Sequence, residues 1–491
     1  MRTTLRRSCD ACAKAKHGCD LKTPKCSRCL RRNVPCVYAN APAASLAPNT
    51  SPTTHDGSLA RIGSRDQWST PSPVLSASAR TTPEVFDQSA GLLIGNVDSS
   101  FDPFDSYPAT RVPRPQIQRL IHHFLSSIAF QYYPLDMSMD TNPFVISWWP
   151  KALADPALFH VSLQTASLDE ELRAQRGFPI SETLMADSVS LLRRKIEKPS
   201  LAFQDETLNA VVTLAAIEHG KGNFEASRAH IDGVLRMVSV RGGISEVKRV
   251  SPLTARMVAW VAMLVTGAPQ FPTQDDTGQG DGIDPTAQWQ LVSKTAETPG
   301  LIFCNDDLDP AMSMILLRLR TIFYQQRQVP LTSTDLHDLT LFIIHKLLLL
   351  PPFLPTASRR SLTSECLRYA MVLYMLIIHG TTYYSLQVIT TTTLSKLDAH
   401  MAALAESSDQ VPSALRLWIA IVSMTARSGA AGSDLHAPQA RQAAEEMGLK
   451  SWEDAAGNLE SVLWMSTPQD RLFQHVWETL HPAVAGQPMT T

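Results

Sequence analysis

Over most of the chain the alternation of apolar and polar positions is helical. Ile117, Leu120, Ile121, Phe124, Leu125 and Ile128 are spaced 3-1-3-1-3 with polar residues between, which lays one apolar stripe along a helix. Pro113 and Pro115 stand just ahead of the stripe, where proline opens a helix. His122 and His123 fall on the polar side and read as surface residues. A helical hairpin is predicted over about 205–241. Its first helix carries Leu208, Val211, Val212, Leu214, Ala215 and Ile217 and stops near Gly220. Asn223 is placed to cap the second, which carries Phe224, Ile231, Val234, Leu235 and Val238 before Gly242-Gly243. Further helical runs lie near 311–326, 335–350, 362–384, 413–427 and 470–480. Two stretches break the pattern. "VITTTTL" (388–394) is strand-prone, with nothing nearby to pair with it. "QDDTGQGDGID" (274–284) has acids and glycines without the EF-hand order, so it reads as a flexible loop rather than a calcium site. The expected fold of residues 113–485 is a large all-α body of stacked antiparallel helices.

Ahead of that body the pattern disappears. In Ala41–Pro83, 27 of 43 residues are Ala, Ser, Thr or Pro, a composition that buries too little to offset its ordering entropy. A disordered linker is therefore expected over 41–112. Near its end "VDSSFDPFDSY" (97–107) alternates acids with Phe101, Phe104 and Tyr107. Such a segment can act as an acidic activation segment or as a strap docked on the helical body, and the strap is the preferred reading. No a/d heptads follow Cys36, so a coiled coil is not expected. The chain either binds as a monomer or forms a homodimer through its body.

Charge separates the two ends. The 491 residues sum to a formal −2. Residues 1–40 hold ten Lys/Arg against only Asp10 and Asp20, so this head carries +8 and the remainder about −10. A small basic head on an acidic body points to a polyanionic partner for the head. The N-terminus lacks the apolar region of a secretory signal. No uncharged apolar run reaches the roughly 18 residues that span a bilayer, so no membrane association is expected. An intracellular setting keeps thiols reduced, where clustered cysteines are metal ligands more often than disulfides. The two isolated cysteines, Cys304 and Cys366, read as buried small apolar residues.

The other six cysteines are Cys9, Cys12, Cys19, Cys26, Cys29 and Cys36. Their spacing is C-x2-C-x6-C, six residues, then C-x2-C-x6-C, a repeat with an offset of 17. Each half opens with the C-x-x-C hook that places two sulfurs on one ion. Six thiolates exceed one tetrahedral zinc and fall short of two separate ones, but they fill both sites if two of them bridge. The head offers only Leu21, Leu30, Val34, Val37 and Tyr38 as apolar core, too little to fold unaided. Metal binding must supply its folding free energy, roughly 10 kcal/mol or more for structural zinc.

This spacing resembles the fungal Zn(II)2Cys6 binuclear zinc-cluster transcription factors across residues 9–36. The resemblance implies a head spanning 1–40 and two Zn2+ ions, with Cys9 and Cys26 bridging. Cys12 and Cys19 would complete one site and Cys29 and Cys36 the other. It also implies that "AKAKHG", between Cys12 and Cys19, is a short helix entering the major groove of double-stranded DNA. Lys16 falls at the family's principal base-contacting position, and an ammonium on a long stem can reach guanine O6 and N7. The resemblance implies a preference for a CGG-like triplet, although Ala15, Ala13 and Gly18 stand where the family often has basic residues. Lys14, Arg28, Arg31 and Arg32 read as phosphate contacts, which position without specifying. The local form Cys-x-x-Cys-Ala-x-x-Lys is similar to regulators of fungal secondary-metabolite gene clusters. "GNFEASRAHIDGVLRMVSVRGG" and "NPFVISWWPKALADPALFH" (142–160) are similar to the middle regulatory region that accompanies such heads.

The expectation is thus a nuclear transcription factor acting on RNA polymerase II genes. Its partners would be duplex DNA and the transcriptional machinery or coactivators. Two other classes of function bear on the same residues. An enzymatic body would want a P-loop, G-x-S-x-G or H-E-x-x-H motif, and none is present, so the chain is expected not to be an enzyme. A zinc-cluster adaptor binding RNA or protein is the alternative that the thinned basic pattern around Lys16 keeps open.

Overall fold

The computed structural model describes residues 10–15, 26–32, 34, 107–175, 177–292, 307–326, 330–354, 358–406, 411–427 and 435–480. The chain divides into two compact units, Met1–Asp87 and Gln88–Thr491. In the first, the described residues form two short helices, α1 (Asp10–Lys14) and α2 (Ser27–Arg32). The residues of the expected linker as far as 106 lie outside the described set.

The second unit is helical, and no strand is found among its described residues. It opens with α3 (Arg114–His123), continued by a π-helical turn (Phe124–Ile128) and α4 (Ala129–Tyr132). A second π-turn (Phe144–Trp148) leads into α5 (Trp149–Ala154), α6 (Pro156–Ala174), α7 (Pro179–Ile196) and α8 (Pro199–Ala202). Then come α9 (Asp205–Gly220), α10 (Phe224–Val240), α11 (Ile244–Val250), α12 (Pro252–Thr266) and α13 (Ala287–Leu291). The remainder comprises α14 (Pro310–Gln325), α15 (Ser333–Leu349), α16 (Arg359–His379), α17 (Gln387–Ala405) and α18 (Ser413–Ala426). It closes with α19 (Ala437–Glu446), α20 (Trp452–Val462) and α21 (Asp470–Leu480).

The predicted stripe lies on α3 and its π-turn, where Ile117, Leu120, Phe124 and Ile128 are fully buried. Pro113 is the N-cap and Pro115 sits in the first turn, where a missing N–H costs no helical bond. His122 is exposed as expected. His123 is not a plain surface residue, because its Nε2 lies 2.7 Å from Asp169 Oδ2 on α6. The hairpin forms as α9 and α10. The Asn223 carboxamide oxygen accepts the Ala226 N–H at 3.4 Å, and Ser227 Oγ donates across the hairpin to the Ala215 carbonyl at 2.6 Å.

The interior is a relay of helices, each packed on the next: α7 on α6, α6 on α9, α9 on α12, α12 on α15 and α17, α15 on α16, and α16 on α18. The central members are buried all round. Every residue from Ala157 to Leu168 on α6 and from Thr207 to Glu218 on α9 is buried. Such helices carry no strong amphipathic period, and α6 does not stand out in the sequence. Polar groups on these buried faces bond locally. Trp148 Nε1 donates to Ser162 Oγ at 2.9 Å, and Ser162 Oγ donates to the Leu158 carbonyl at 2.7 Å. By length and composition α16 could cross a membrane, but 94% of its apolar window is buried inside the body, so it is a core helix. Cys366 on α16 is fully buried, as expected of a small apolar residue; burial pushes its thiol up to about 12. Cys304 lies outside the described residues.

Two expectations are corrected. The strand-prone run 388–394 is the first part of helix α17. Ile389, Thr393 and Leu397 recur every four residues and are its buried positions, and α17 packs on α16 and α12. Thr393 Oγ1 donates to the Ile389 carbonyl at 2.7 Å, which satisfies a β-branched polar side chain inside a helix. With no strand to pair with, burial of this face overrides β propensity. The second correction concerns 274–284, which is not a loose loop. The Asp275 Oδ1 accepts the N–H groups of Thr277 and Gln279 at 2.9 and 2.8 Å. Asp276 accepts from Trp289 Nε1 at 2.9 Å and pairs with Lys346 at 2.9 Å. Thr273 and Ile283 form a bridge, and Gly282 (φ 122°) permits it, since a Cβ there would stand 2.3 Å from the Pro272 carbonyl oxygen.

Candidate metal centre and nucleic-acid interface

The site is built from the C-x-x-C hook of the second cysteine half. Cys26 precedes α2, and its carbonyl accepts the Leu30 N–H at 2.9 Å, the first bond of the helix. Its sulfur accepts the Cys29 N–H at 3.4 Å. The thiol thus does for α2 what a serine or aspartate cap does elsewhere, taking a donor the first turn leaves unpaired. The end of α2 is closed by the Val34 N–H bonding to the Cys29 carbonyl at 3.1 Å. A six-residue helix is far below the length that is stable in isolation, so this local geometry depends on what the sulfurs hold.

From the other half, Cys12 on α1 brings its sulfur to 3.7 Å from that of Cys26. The sulfurs of Cys12, Cys26 and Cys29 all lie within 4.8 Å of one another and are buried. Ala11 and Val34 pack over them. A disulfide would need about 2.05 Å. Two thiolates on one tetrahedral zinc, each about 2.3 Å from the metal, stand about 3.8 Å apart. The observed spacing fits shared metal ligation. Among the described residues no other group of three His, Cys, Asp or Glu side chains converges in this way. The four acids of 274–284, where calcium was the lesser reading, are engaged: Asp275 and Asp276 as above, Asp281 with the Gly282 N–H at 2.8 Å, and Asp284 with Lys248 at 2.9 Å.

Of the six predicted ligands, then, the structure brings three together. Cys9, Cys19 and Cys36 lie outside the described residues, as does Lys16. Lys14, Arg31 and Arg32 are exposed, and Arg28 is half-buried. Arg28, Arg31 and Arg32 are related by i, i+3 and i+4 on α2, which puts them on one face of the helix.

Sequence reasoning missed a cluster in the body. His337 Nδ1 on α15 lies 2.9 Å from Nε2 of His379 at the end of α16, and the Trp260 ring stacks on His379 at 4.4 Å between centroids. Both histidines are buried. Burial pushes His337 down to about 4 and His379 well below the usual range. Next to them, Arg256 grips Asp338 through two bonds of 2.7 and 3.0 Å, and Lys248 stands 3.1 Å from the same carboxylate. Burial acts to raise Asp338, but the Arg256 bond and the charges of Lys248 and Arg256 hold it below the usual carboxylate range. Nothing in the local sequence pairs positions 42 apart.

Comparison with known proteins agrees with the resemblance read from the sequence. Residues 7–45 match the fungal Zn(2)-Cys(6) binuclear cluster domain, and residues 119–279 match the fungal specific transcription factor domain. The cluster domain is binuclear and binds zinc. Among curated proteins, the transcriptional regulator alnR of Emericella nidulans is 54% identical over 35 residues, 7% of this chain and 9% of that protein. A transcriptional regulator of Pestalotiopsis microspora is 56% identical over 34 residues, 7% of this chain and 8% of that protein. The transcription factor phomD of Diaporthe leptostromiformis is 35% identical over 69 residues, 13% and 15% of the two chains. These matches span less than a sixth of the relatives' own length. No solved structure matches the chain.

Proposed function

We propose that the chain is a nuclear, sequence-specific transcription factor that binds duplex DNA through its zinc head and regulates through its helical body. The observation that carries this reading is the convergence of Cys12, Cys26 and Cys29 inside a segment that matches the binuclear cluster domain. In this reading Cys9 and Cys26 bridge two Zn2+ ions, Cys12 and Cys19 complete one site, and Cys29 and Cys36 complete the other. The zinc ions supply cross-links that a head with so few apolar residues cannot supply by packing. Lys16 reads a guanine edge of a CGG-like triplet, while Lys14, Arg28, Arg31 and Arg32 hold phosphates. The exposed basic face of α2 fits the second role, because phosphate contacts need charge at the surface rather than a fixed hydrogen-bond fork.

The body has no role in catalysis in this reading. It receives signals from the transcriptional machinery or coactivators, and it is the place where a homodimer would form. The likeness of the head to named transcriptional regulators supports a transcriptional regulator, and the local form Cys-x-x-Cys-Ala-x-x-Lys at Cys9–Lys16, similar to regulators of secondary-metabolite gene clusters, is what favours a pathway-specific one. Genome-wide mapping of bound sites tests the proposal. Enrichment of CGG-like triplets near the promoters of one biosynthetic locus is the expected result. Sites without any such triplet would overturn the DNA reading, and preferential binding of the head to RNA would favour an adaptor.

A further inference from the structure

Residues 107–112 form a short strap on the α6–α7 hairpin. The Tyr107 ring stacks on Phe159 of α6, with centroids 5.8 Å apart and planes 13° from parallel. Val112 is buried. Arg111 reaches Asp187 of α7 at 2.7 Å and the Thr183 carbonyl at 3.4 Å. Read from Arg111 back to Tyr107, the strap passes from Thr183 and Asp187 on α7 to Phe159, in the first turn of α6. That turn lies beside the last turns of α7, as the ion pair between Lys195 and Asp155 shows. The chain upstream of Tyr107 therefore leaves the strap beside the first turn of α6, which faces the last turns of α7.

That end of α7 is basic and incompletely covered. Arg193, Arg194 and Lys198 are exposed, and none has an ion-pair partner among the described residues. Ile196 beside them is 54% exposed, and Phe203, one short helix later, is 39% exposed. The segment that enters the strap carries the complementary pattern, with Asp98, Asp102 and Asp105 interleaved with Phe101 and Phe104. The reach also fits. From Asp187 to Lys198 the helix rises about 16 Å, and six extended residues ahead of Tyr107 span about 20 Å.

We propose that the C-terminal end of α7, with Arg193, Arg194, Lys198 and Ile196, is a docking surface for this chain's own acidic–aromatic segment, residues 97–106. Docked there, Phe101 and Phe104 are withheld from other proteins. The body thereby controls access to the segment that a coactivator would bind. This regulatory consequence rests on the transcription-factor reading; the docking itself does not.

The test is chymotryptic cleavage of the full-length chain at Phe101 and Phe104. Cleavage there should be slow in the native protein. Combining Arg193→Glu, Arg194→Glu and Lys198→Glu should speed it about tenfold, the scale of three surface ion pairs lost together. Adding Asp98→Lys, Asp102→Lys and Asp105→Lys to that variant should restore slow cleavage. If the reversed body melts at a lower temperature, Arg193→Gln, Arg194→Gln and Lys198→Gln serve in its place. Equal cleavage in native and reversed chains overturns the proposal. Protection that disappears on dilution also overturns it, since the occupant is then a second copy. Failure to bind any DNA would overturn the function proposed above without touching this result.

Discussion

Cys12 and Cys26 stand 14 positions apart in the chain, yet their sulfurs are 3.7 Å apart. That separation suits two thiolates on a common ion and is too long for a disulfide. Replacing Cys26 with alanine is expected to remove zinc from both sites, because this sulfur lies against Cys12 of one half and Cys29 of the other. Metal analysis should find well under two zinc per chain, and DNA binding should be lost. The thermal transition of the helical body should stay where it is, since its core from Val112 to Leu480 includes none of these cysteines. A strong chelator should reproduce both effects.

Lys16→Ala is expected to weaken binding to the preferred site by about 1–3 kcal/mol and to leave binding to random duplex nearly unchanged. Arg31→Ala, on the exposed face of α2, should weaken both alike and reduce the salt dependence by about one phosphate contact. Titrations of consensus and scrambled duplexes at two salt concentrations separate the roles. An equal loss for Lys16→Ala on both duplexes would make it a backbone contact.

Arg368 ties the end of α15 to α16. Its Nε donates to the Leu347 carbonyl and its Nη2 to the Leu350 carbonyl, each at 2.7 Å. Glu365, at 3.2 Å from the same guanidinium, accepts the Phe353 N–H at 3.1 Å. Arg368 and Glu365 are buried, so Arg368→Met leaves the Glu365 carboxylate without its cation and the Leu350 carbonyl without its donor. The expected cost is about 3–5 kcal/mol of body stability, read as a lower urea midpoint. Arg368→Met with Glu365→Gln should recover part of it, as the stranded charge is then gone.

His337 and His345 are both held down to about 4 by burial. Unfolded, each titrates near 6.5. Between these values the unfolded chain binds protons that the folded chain excludes, so stability is full above about pH 6.5 and falls as pH drops towards 4. At pH 5 the loss is about 2 kcal/mol for each residue. Urea midpoints measured from pH 7 to 4.5 should fall accordingly. His345→Leu should flatten the slope, and an unchanged slope would count against the burial argument.

The metal centre was the most legible feature of the chain, because metal ligation depends on residue type and short spacing, both written locally. Amphipathic helices were legible for a similar reason: α3 and α10 have one wet and one dry face, and period shows it. Helix α6 was hidden because burial on every side erases that period. The run 388–394 is β-branched in sequence, and only the surface of α16 and α12 against which it packs makes it the start of helix α17.

By itself the sequence determined the zinc-bound character of the head, the basic asymmetry of its charge, and the helical class of the body. Tertiary structure alone decided which distant groups meet: His337 with His379, Arg368 with the end of α15, and Tyr107 with Phe159. The physical reason is range. Spacing and periodicity encode contacts within a turn or two of chain, whereas these pairs are set by how whole helices pack, and that packing is shared among side chains spread over the entire body.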